Sequence, residues 1–217
     1  GDDFDSKWLM VSGNMDGQIM LWEVSTDKGP PQAPKQTIKD AHSGAVRSLL
    51  WVEVGGERMV VSSSFDGSIA TWKLDANVAT LKESERKSLV DARCTECSAK
   101  KTAHKGAVTT LAFVGAFDVA EVSLQPTKSK MVIASGSEDG AVKLWDVTTG
   151  DLVSTVITCN MGVCSLAWLT NPFNQTTQAE IADGVGAWLA CGVGDNTIVL
   201  VDPKTGEVIA TVRGHDG

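Results

Sequence analysis

Ser135-Gly-Ser-Glu-Asp-Gly-Ala-Val-Lys-Leu-Trp-Asp-Val147 is the stretch that decides the fold of this 217-residue chain. A run of small residues leads to Asp-Gly, whose glycine supplies the positive φ of a tight turn, and the residues beyond alternate apolar and polar up to Trp145. That pattern reads as strand, turn, strand. It is written three more times, as Ser12-Gly-Asn-Met-Asp-Gly-Gln-Ile-Met-Leu-Trp-Glu-Val24, Ser62-Ser-Ser-Phe-Asp-Gly-Ser-Ile-Ala-Thr-Trp-Lys-Leu74 and Cys191-Gly-Val-Gly-Asp-Asn-Thr-Ile-Val-Leu-Val-Asp-Pro203. The chain is therefore an array of hairpins.

What flanks the hairpins completes a unit of four strands. His42-Ser-Gly-Ala-Val-Arg-Ser-Leu-Leu-Trp51 and His104-Lys-Gly-Ala-Val-Thr-Thr-Leu-Ala-Phe113 place an apolar strand before the second and third copies. Gln36–Lys39, Leu152–Ile157 and Glu207–Arg213 offer a short β-prone stretch after a hairpin. Four antiparallel strands per repeat is the content of a propeller blade.

On Trp145-Asp146, the turn aspartates Asp16, Asp66 and Asp139, and the repeat-opening histidines His42, His104 and His215, the chain resembles the WD-repeat (WD40) β-propeller family over nearly its whole length. The resemblance implies an all-β fold of four-stranded antiparallel blades. It also implies a hydrogen-bonded tetrad inside a blade, with His42, Ser62, Asp66 and Trp72 as one set and His104, Ser135, Asp139 and Trp145 as another. A buried His and Asp are tolerated when each is paired. In the fourth repeat Asn160 stands near the His position, Cys191 replaces Ser and Val201 replaces Trp, so that blade is expected to be held by packing.

The expected organisation is a partial blade over 1–41 lacking its first strand, a blade over 42–103, another over 104–158, a degenerate blade over 159–213 and the start of a further repeat at 214–217. Because a ring closes with roughly 4 to 8 blades, the chain reads as an incomplete segment of about four blades from a larger ring, or as one completed by another chain. From Trp22 to Trp72 is 50 residues, from Trp72 to Trp145 is 73 and from Trp145 to Val201 is 56, against ~40–45 for a plain repeat. The excess predicts insertions over Asp75–Cys97, Gly115–Lys130 and Thr170–Gly186. In the first of these, Val78, Leu81, Glu85, Leu89 and Ala92 form a loose helical stripe.

Composition excludes several functions. A formal charge of −8 opposes general nucleic-acid binding, which needs a basic stripe. The basic cluster from Lys82 to Lys105 is interleaved with acids and reads as a solvated insertion. No run approaches the ~18 apolar residues of a membrane span, so no insertion into a membrane is expected. Five irregularly spaced cysteines do not form a disulfide framework, which points to an intracellular setting, cytoplasmic or nuclear.

No enzyme is expected. The three histidines all occupy the repeat-opening position, and neither Gly-x-Ser-x-Gly nor a phosphate loop ending in Lys-Ser or Lys-Thr is present. Cys94-Thr-Glu-Cys97 is half of a zinc site whose other half is absent, so it reads as a pair of free thiols, and no cofactor is assigned. Asn174-Gln-Thr176 matches a glycosylation acceptor, which carries no weight in an intracellular chain, and Pro30–Pro34 reads as a stiff loop. Trp22, Trp72 and Trp145 define the repeat, and Trp51, Phe113 and Trp168 are expected in the core.

The leading expectation is a non-catalytic scaffold that binds a protein or peptide within a multiprotein complex. The resemblance places recognition on the face carrying the hairpin turns, at Met15, Phe65, Glu138 and Gly194 just before the turn Asp, and at Arg47, Thr109 and Cys164 just after the first-strand Val. Met15, Arg47 and Phe65 carry the most weight, because Met, Arg and aromatic side chains are enriched at interface hot spots. Two alternatives follow from the same resemblance. One is a substrate receptor of a ubiquitin ligase, although the Arg of Trp-Asp-x-Arg is missing after Trp22, Trp72 and Trp145. The other is a constitutive structural subunit of a large assembly.

Overall fold

Fifteen strands make up the regular structure of the computed structural model, which describes residues 7–25, 29, 31, 33–74, 94–117, 130–170 and 187–214. They form four antiparallel sheets in chain order. The first holds three strands, β1 (Lys7–Gly13), β2 (Ile19–Ser25) and β3 (Gln36–Ile38). The second holds β4 (Val46–Val54), β5 (Glu57–Ser64), β6 (Ser68–Leu74) and β7 (Cys94–Thr102). The third holds β8 (Val108–Phe117), β9 (Lys130–Ser137), β10 (Ala141–Asp146) and β11 (Leu152–Thr158). The fourth holds β12 (Val163–Thr170), β13 (Ala187–Val193), β14 (Thr197–Val201) and β15 (Val208–Arg213). These are blades 1 to 4 of an all-β propeller segment.

Each hairpin forms where the repeated phrase predicts it. Gly17, Gly67 and Gly140 take φ of 75°, 79° and 81°, and Asn196 fills the same place at 66° because its short polar side chain tolerates that region. The first strands of blades 2 to 4, β4, β8 and β12, contact one another, and β4 contacts β1, which stands in blade 1 where β5 and β9 stand in theirs, so the sheets fan around a common axis with the last strand of each outermost.

Between successive blades lies an apolar layer, where each sheet lays one face against its neighbour. Ile19 and Leu21 meet Val60, Ala70 and Trp72 at the first junction. Val61 and Ile69 meet Ile133 and Trp145 at the second, and Val142 and Leu144 meet Leu189, Cys191 and Val201 at the third. A third-strand residue of the later blade, Trp72, Trp145 or Val201, thus packs against the third strand of the earlier one.

Three expectations need correction. The second-blade insertion ends before Cys94, since Cys94–Thr102 is strand β7, paired from Leu74↔Cys94 to Ser68↔Thr102. This strand has no apolar alternation, and an outermost strand needs none. Its extended backbone sets Cys94 and Cys97 about 10 Å apart, three steps of strand rise, rather than in the tight knuckle of a zinc site. The third-blade strand also continues past Gly115 to Phe117, through a bulge where Gly115 adopts φ of 99°. Finally, Trp51 and Phe113 are 42% and 38% exposed instead of buried, near the ends of the innermost strands β4 and β8. Trp168 does pack against the third junction. The helical stripe from Val78 to Ala92, the basic residues from Lys82 to Arg93 and Asn174 lie outside the described residues.

Candidate functional site

A polar network ties the hairpin turn of each inner blade to the loop that opens it. In blade 3 the Trp145 indole N–H donates to Ser135 Oγ at 2.7 Å, Ser135 lies 2.8 Å from His104 Nε2, and His104 Nδ1 faces both carboxylate oxygens of Asp139 at 3.1 Å. Donors and acceptors run in one direction if the imidazole is neutral with its proton on Nδ1. Burial indeed pushes His104 below its ordinary 6.5, against the pull of Asp139. Burial works to raise Asp139, yet the backbone N–H groups of Ala141 and Lys105, together with His104, hold it below its ordinary 3.8.

Blade 2 departs from the four-residue expectation. His42 Nε2 reaches Ser62 at 2.7 Å and Trp72 donates to Ser62 at 2.8 Å, but His42 Nδ1 bonds Ser68 Oγ at 2.7 Å, and Ser68 passes the link to Asp66. The His42–Asp66 separation is 3.7 Å. Ser68 is thus a fifth member that the family pattern does not list; the readable signal was a hydroxyl two residues after the turn Asp, where Ala141 stands in blade 3. Asp66 is held far below the ordinary carboxylate range: burial opposes this, and Ser68 and Ser43 bring it about.

The end blades lack the complete network. In blade 1 Trp22 still donates to Ser12 Oγ at 2.8 Å, but Asn14 organises the turn, its Oδ1 accepting the N–H of Asp16 and of Gln18, while Asp16 is exposed. In blade 4 the residue at the His position is Cys159, not Asn160. The Cys159 N–H donates to Gly140 O at 2.9 Å, as His42 donates to Gly17 O and His104 to Gly67 O. Counting four residues back from Val163, as His104 precedes Val108, finds it in the sequence. Cys191 takes the Ser position and is fully buried; burial, with Cys159 beside it, pushes its thiol up to about 12. Among the described residues no group of three or more His, Cys, Asp or Glu is arranged to hold a metal ion.

The networks fix the rim that carries the candidate binding residues. Asp66 Oδ2 accepts the N–H and hydroxyl of Ser43, and Asp139 Oδ2 accepts the N–H of Lys105. The turn tips bond the same loops, Phe65 N–H to Ala45 O and Glu138 N–H to Ala107 O, both at 2.9 Å. Met15 and Phe65 stand 86% and 57% exposed at these tips, and Glu138 is exposed.

Arg47, Thr109 and Cys164 share a cause that the sequence did not reveal. Each is the residue skipped where the register of the first strand shifts, between Val46 and Ser48, Val108 and Thr110, and Val163 and Ser165. Such a bulge re-aims one side chain. Arg47 and Cys164 are exposed, whereas the Thr109 hydroxyl turns inward to Gly136 O and Val163 O and braces blade 3 against blade 4.

A pH dependence follows. Below about pH 6.5 the unfolded chain takes up a proton on His104 that the folded chain resists, so stability is lost as pH falls. Asp66 and Asp139, depressed when folded, add a second loss as pH falls below about 3.8. Urea midpoints measured from about pH 7 to about pH 5 should decline in the parent, and the decline should shrink in His104→Gln.

Residues 95–146 match the family profile of the WD domain, G-beta repeat. The match runs from the outermost strand of blade 2 through the third strand of blade 3. Across 96% of its length the chain is 26% identical to a CCR4-associated factor 4 homolog of Candida glabrata, of which it covers 31%. It is also 26% identical to the ribosome biogenesis protein YTM1 of Chaetomium thermophilum, over 95% of this chain and 40% of the relative. With mitochondrial division protein 1 of Vanderwaltozyma polyspora the identity is 22%, over 98% of this chain and 28% of the relative. The chain therefore spans about a third of the length of these relatives.

Proposed function

We propose for this chain, a WD-repeat propeller segment, the role of a non-catalytic scaffold that binds a protein or peptide across the rim formed by its hairpin turns and first-strand bulges. The observation that carries this reading is an exposed Phe at a rigid turn tip. Phe65 is anchored by its backbone to Ala45 and flanked by the Asp66 network, and an aromatic there contributes little to the core. Arg47, aimed outward by its bulge, adds a charge-assisted donor beside it.

Catalysis finds no support in the polar groups. His42 and His104 are buried and spent on structural hydrogen bonds. The net charge of −8 favours protein over nucleic-acid partners. No helix among the described residues is long and apolar enough to cross a membrane. We place the protein inside the cell, cytoplasmic or nuclear, on its cysteine usage.

The test is purification of the full protein from its own cells with the chains that remain bound. Phe65→Ala and Arg47→Ala should each reduce a stoichiometric partner by about tenfold or more while the melting temperature stays within about 2 °C of the parent. A large loss of stability from either would make that residue structural. A second reading, a constitutive subunit of a large assembly, is favoured by the exposed apolar side chains on the end sheets, Trp8 and Met10 at one and Val208, Ile209 and Val212 at the other. In that case both variants would retain their neighbours.

A further inference from the structure

One peptide unit at the entry to β4 holds the turns of two blades. The Val46 N–H donates to Asn14 O at 3.0 Å, in the turn of blade 1, and Ala45 O accepts the Phe65 N–H at 2.9 Å, from the turn of blade 2. A trans peptide unit points its N–H and C=O in opposite directions, so the two turns lie on opposite sides of it. Met15 follows one anchor, Phe65 is the other, and Arg47 is the next residue along, swung out by its bulge. The packing is tight: a Cβ added at Gly44 would lie 3.0 Å from the Asp66 nitrogen. The three side chains are thus presented on backbone that is fixed before any partner arrives, which limits the ordering cost of contact.

Arg47 is the charged member of this group, and it is unpaired. Among the described residues no carboxylate lies within ion-pair distance of its guanidinium. The carboxylate beside Phe65 is already engaged, since Asp66 accepts Ser43 and Ser68. Elsewhere on the rim the combination is absent. Blade 3 has Glu138 at its tip and an inward Thr109, and blade 4 has Gly194 and Cys164. A lone guanidinium between two exposed apolar side chains calls for an anion attached to an apolar group. One guanidinium matches the single charge of a carboxylate, whereas phosphorylated motifs are recognised by clusters of Arg.

We propose that the sector of the rim between blades 1 and 2 binds an extended segment of a partner protein, with an apolar side chain against Met15 and Phe65 and an Asp or Glu carboxylate on Arg47. In an extended segment the two groups share a side when they stand two residues apart. The proposal rests on the rim reading and names the chemistry of its partner.

The experiment pans phage-displayed random dodecapeptides on the full chain at low salt, with Arg47→Gln as a parallel target. Peptides enriched on the parent should carry an apolar residue with Asp or Glu two positions away, and should be depleted on Arg47→Gln. The best of them, synthesised, is titrated into protein with methyl-labelled methionine and followed by NMR. The Met15 methyl should shift and saturate, while Met161, exposed in the loop that opens blade 4, and buried Met59 stay in place. Replacing the peptide's acid by its amide should weaken binding about three- to fivefold, as for an exposed ion pair, and added salt should erase the difference. Arg47→Lys should restore most of it. Absence of enrichment, equal enrichment on Arg47→Gln, acid-free consensus peptides, a shift at Met161 in place of Met15, or tighter binding of a phosphoserine peptide would each overturn the proposal. Loss of the cellular partner in Phe65→Ala and Arg47→Ala would then still support the rim reading, and its retention in both would remove that reading as well.

Discussion

Trp145→Ala is expected to destabilise the chain by about 3–5 kcal/mol, the largest effect of any single truncation considered. The indole is 7% exposed and fills the second junction against Val61, Ile69 and Ile133, so its removal opens a void that two sheets cannot close by small shifts. It also removes the N–H that donates to Ser135 Oγ, but that hydroxyl still faces His104. Trp145→Phe isolates this second contribution and should cost only about 1 kcal/mol. Trp22→Ala makes the comparison internal. Trp22 bonds Ser12 as Trp145 bonds Ser135, yet it is only half-buried, so its truncation should cost less than half as much. Urea denaturation of the three variants checks the ranking. Equal losses for Trp145→Phe and Trp145→Ala would mean that the polar network, and not packing, dominates the blade.

Gly17→Ala should cost about 3 kcal/mol, although the side chain added is a single methyl. Gly17 sits at φ of 75°, which is unfavourable by about 1–2 kcal/mol for any residue with a Cβ. An added Cβ would also lie 2.2 Å from the carbonyl oxygen of His42, a backbone atom that cannot rotate away. Relief requires the loop that opens blade 2 to move, and with it the His42 N–H that bonds Gly17 O at 3.0 Å. Gly56 supplies the control. Its φ of 83° is equally left-handed, but nothing lies within 4 Å of its missing Cβ. Gly56→Ala should cost about 1 kcal/mol, so the difference in urea stability between the variants measures how tightly one blade's turn is pressed on the next blade's loop.

The two predictions concern the same feature from opposite ends, because the junction between blades is where both packing and polar order are concentrated. Junctions one and two are closed by a ring and a relay of hydrogen bonds. Junction three has neither and is closed by apolar packing, with Cys191 and Val201 fully buried at its centre and the Thr109 hydroxyl and Cys159 N–H bonding across it. That the fourth blade nevertheless keeps its register, from Leu189↔Val201 to Gly192↔Ile198, shows that the tetrad is not required for a blade to form.

Much of this was legible in the sequence. The hairpins were readable because Asp-Gly and Asp-Asn turns and period-two alternation are local properties, set by φ preferences and pleating rather than by distant contacts. The tetrad residues of blades 2 and 3 were readable because they recur at fixed offsets from those turns. Strand β7 was not, since an outermost polar strand carries no alternation and takes its pairing from Ser68–Leu74. Cys159 escaped because it resembles neither His nor Ser, although its offset from Val163 matches that of His104 from Val108 and its backbone bond to Gly140 puts it in the same place.

The sequence by itself determined the repeat, the hairpins and the residues able to link a turn to a loop, because each depends on neighbours a few positions away. Only the tertiary structure decided which side chains those links leave exposed. The bulges that turn Arg47 outward and the carbonyls that draw Thr109 inward both arise where one sheet meets its own partner strand or the next blade. Such contacts join residues far apart in the chain, and their geometry is set by the packing of whole sheets.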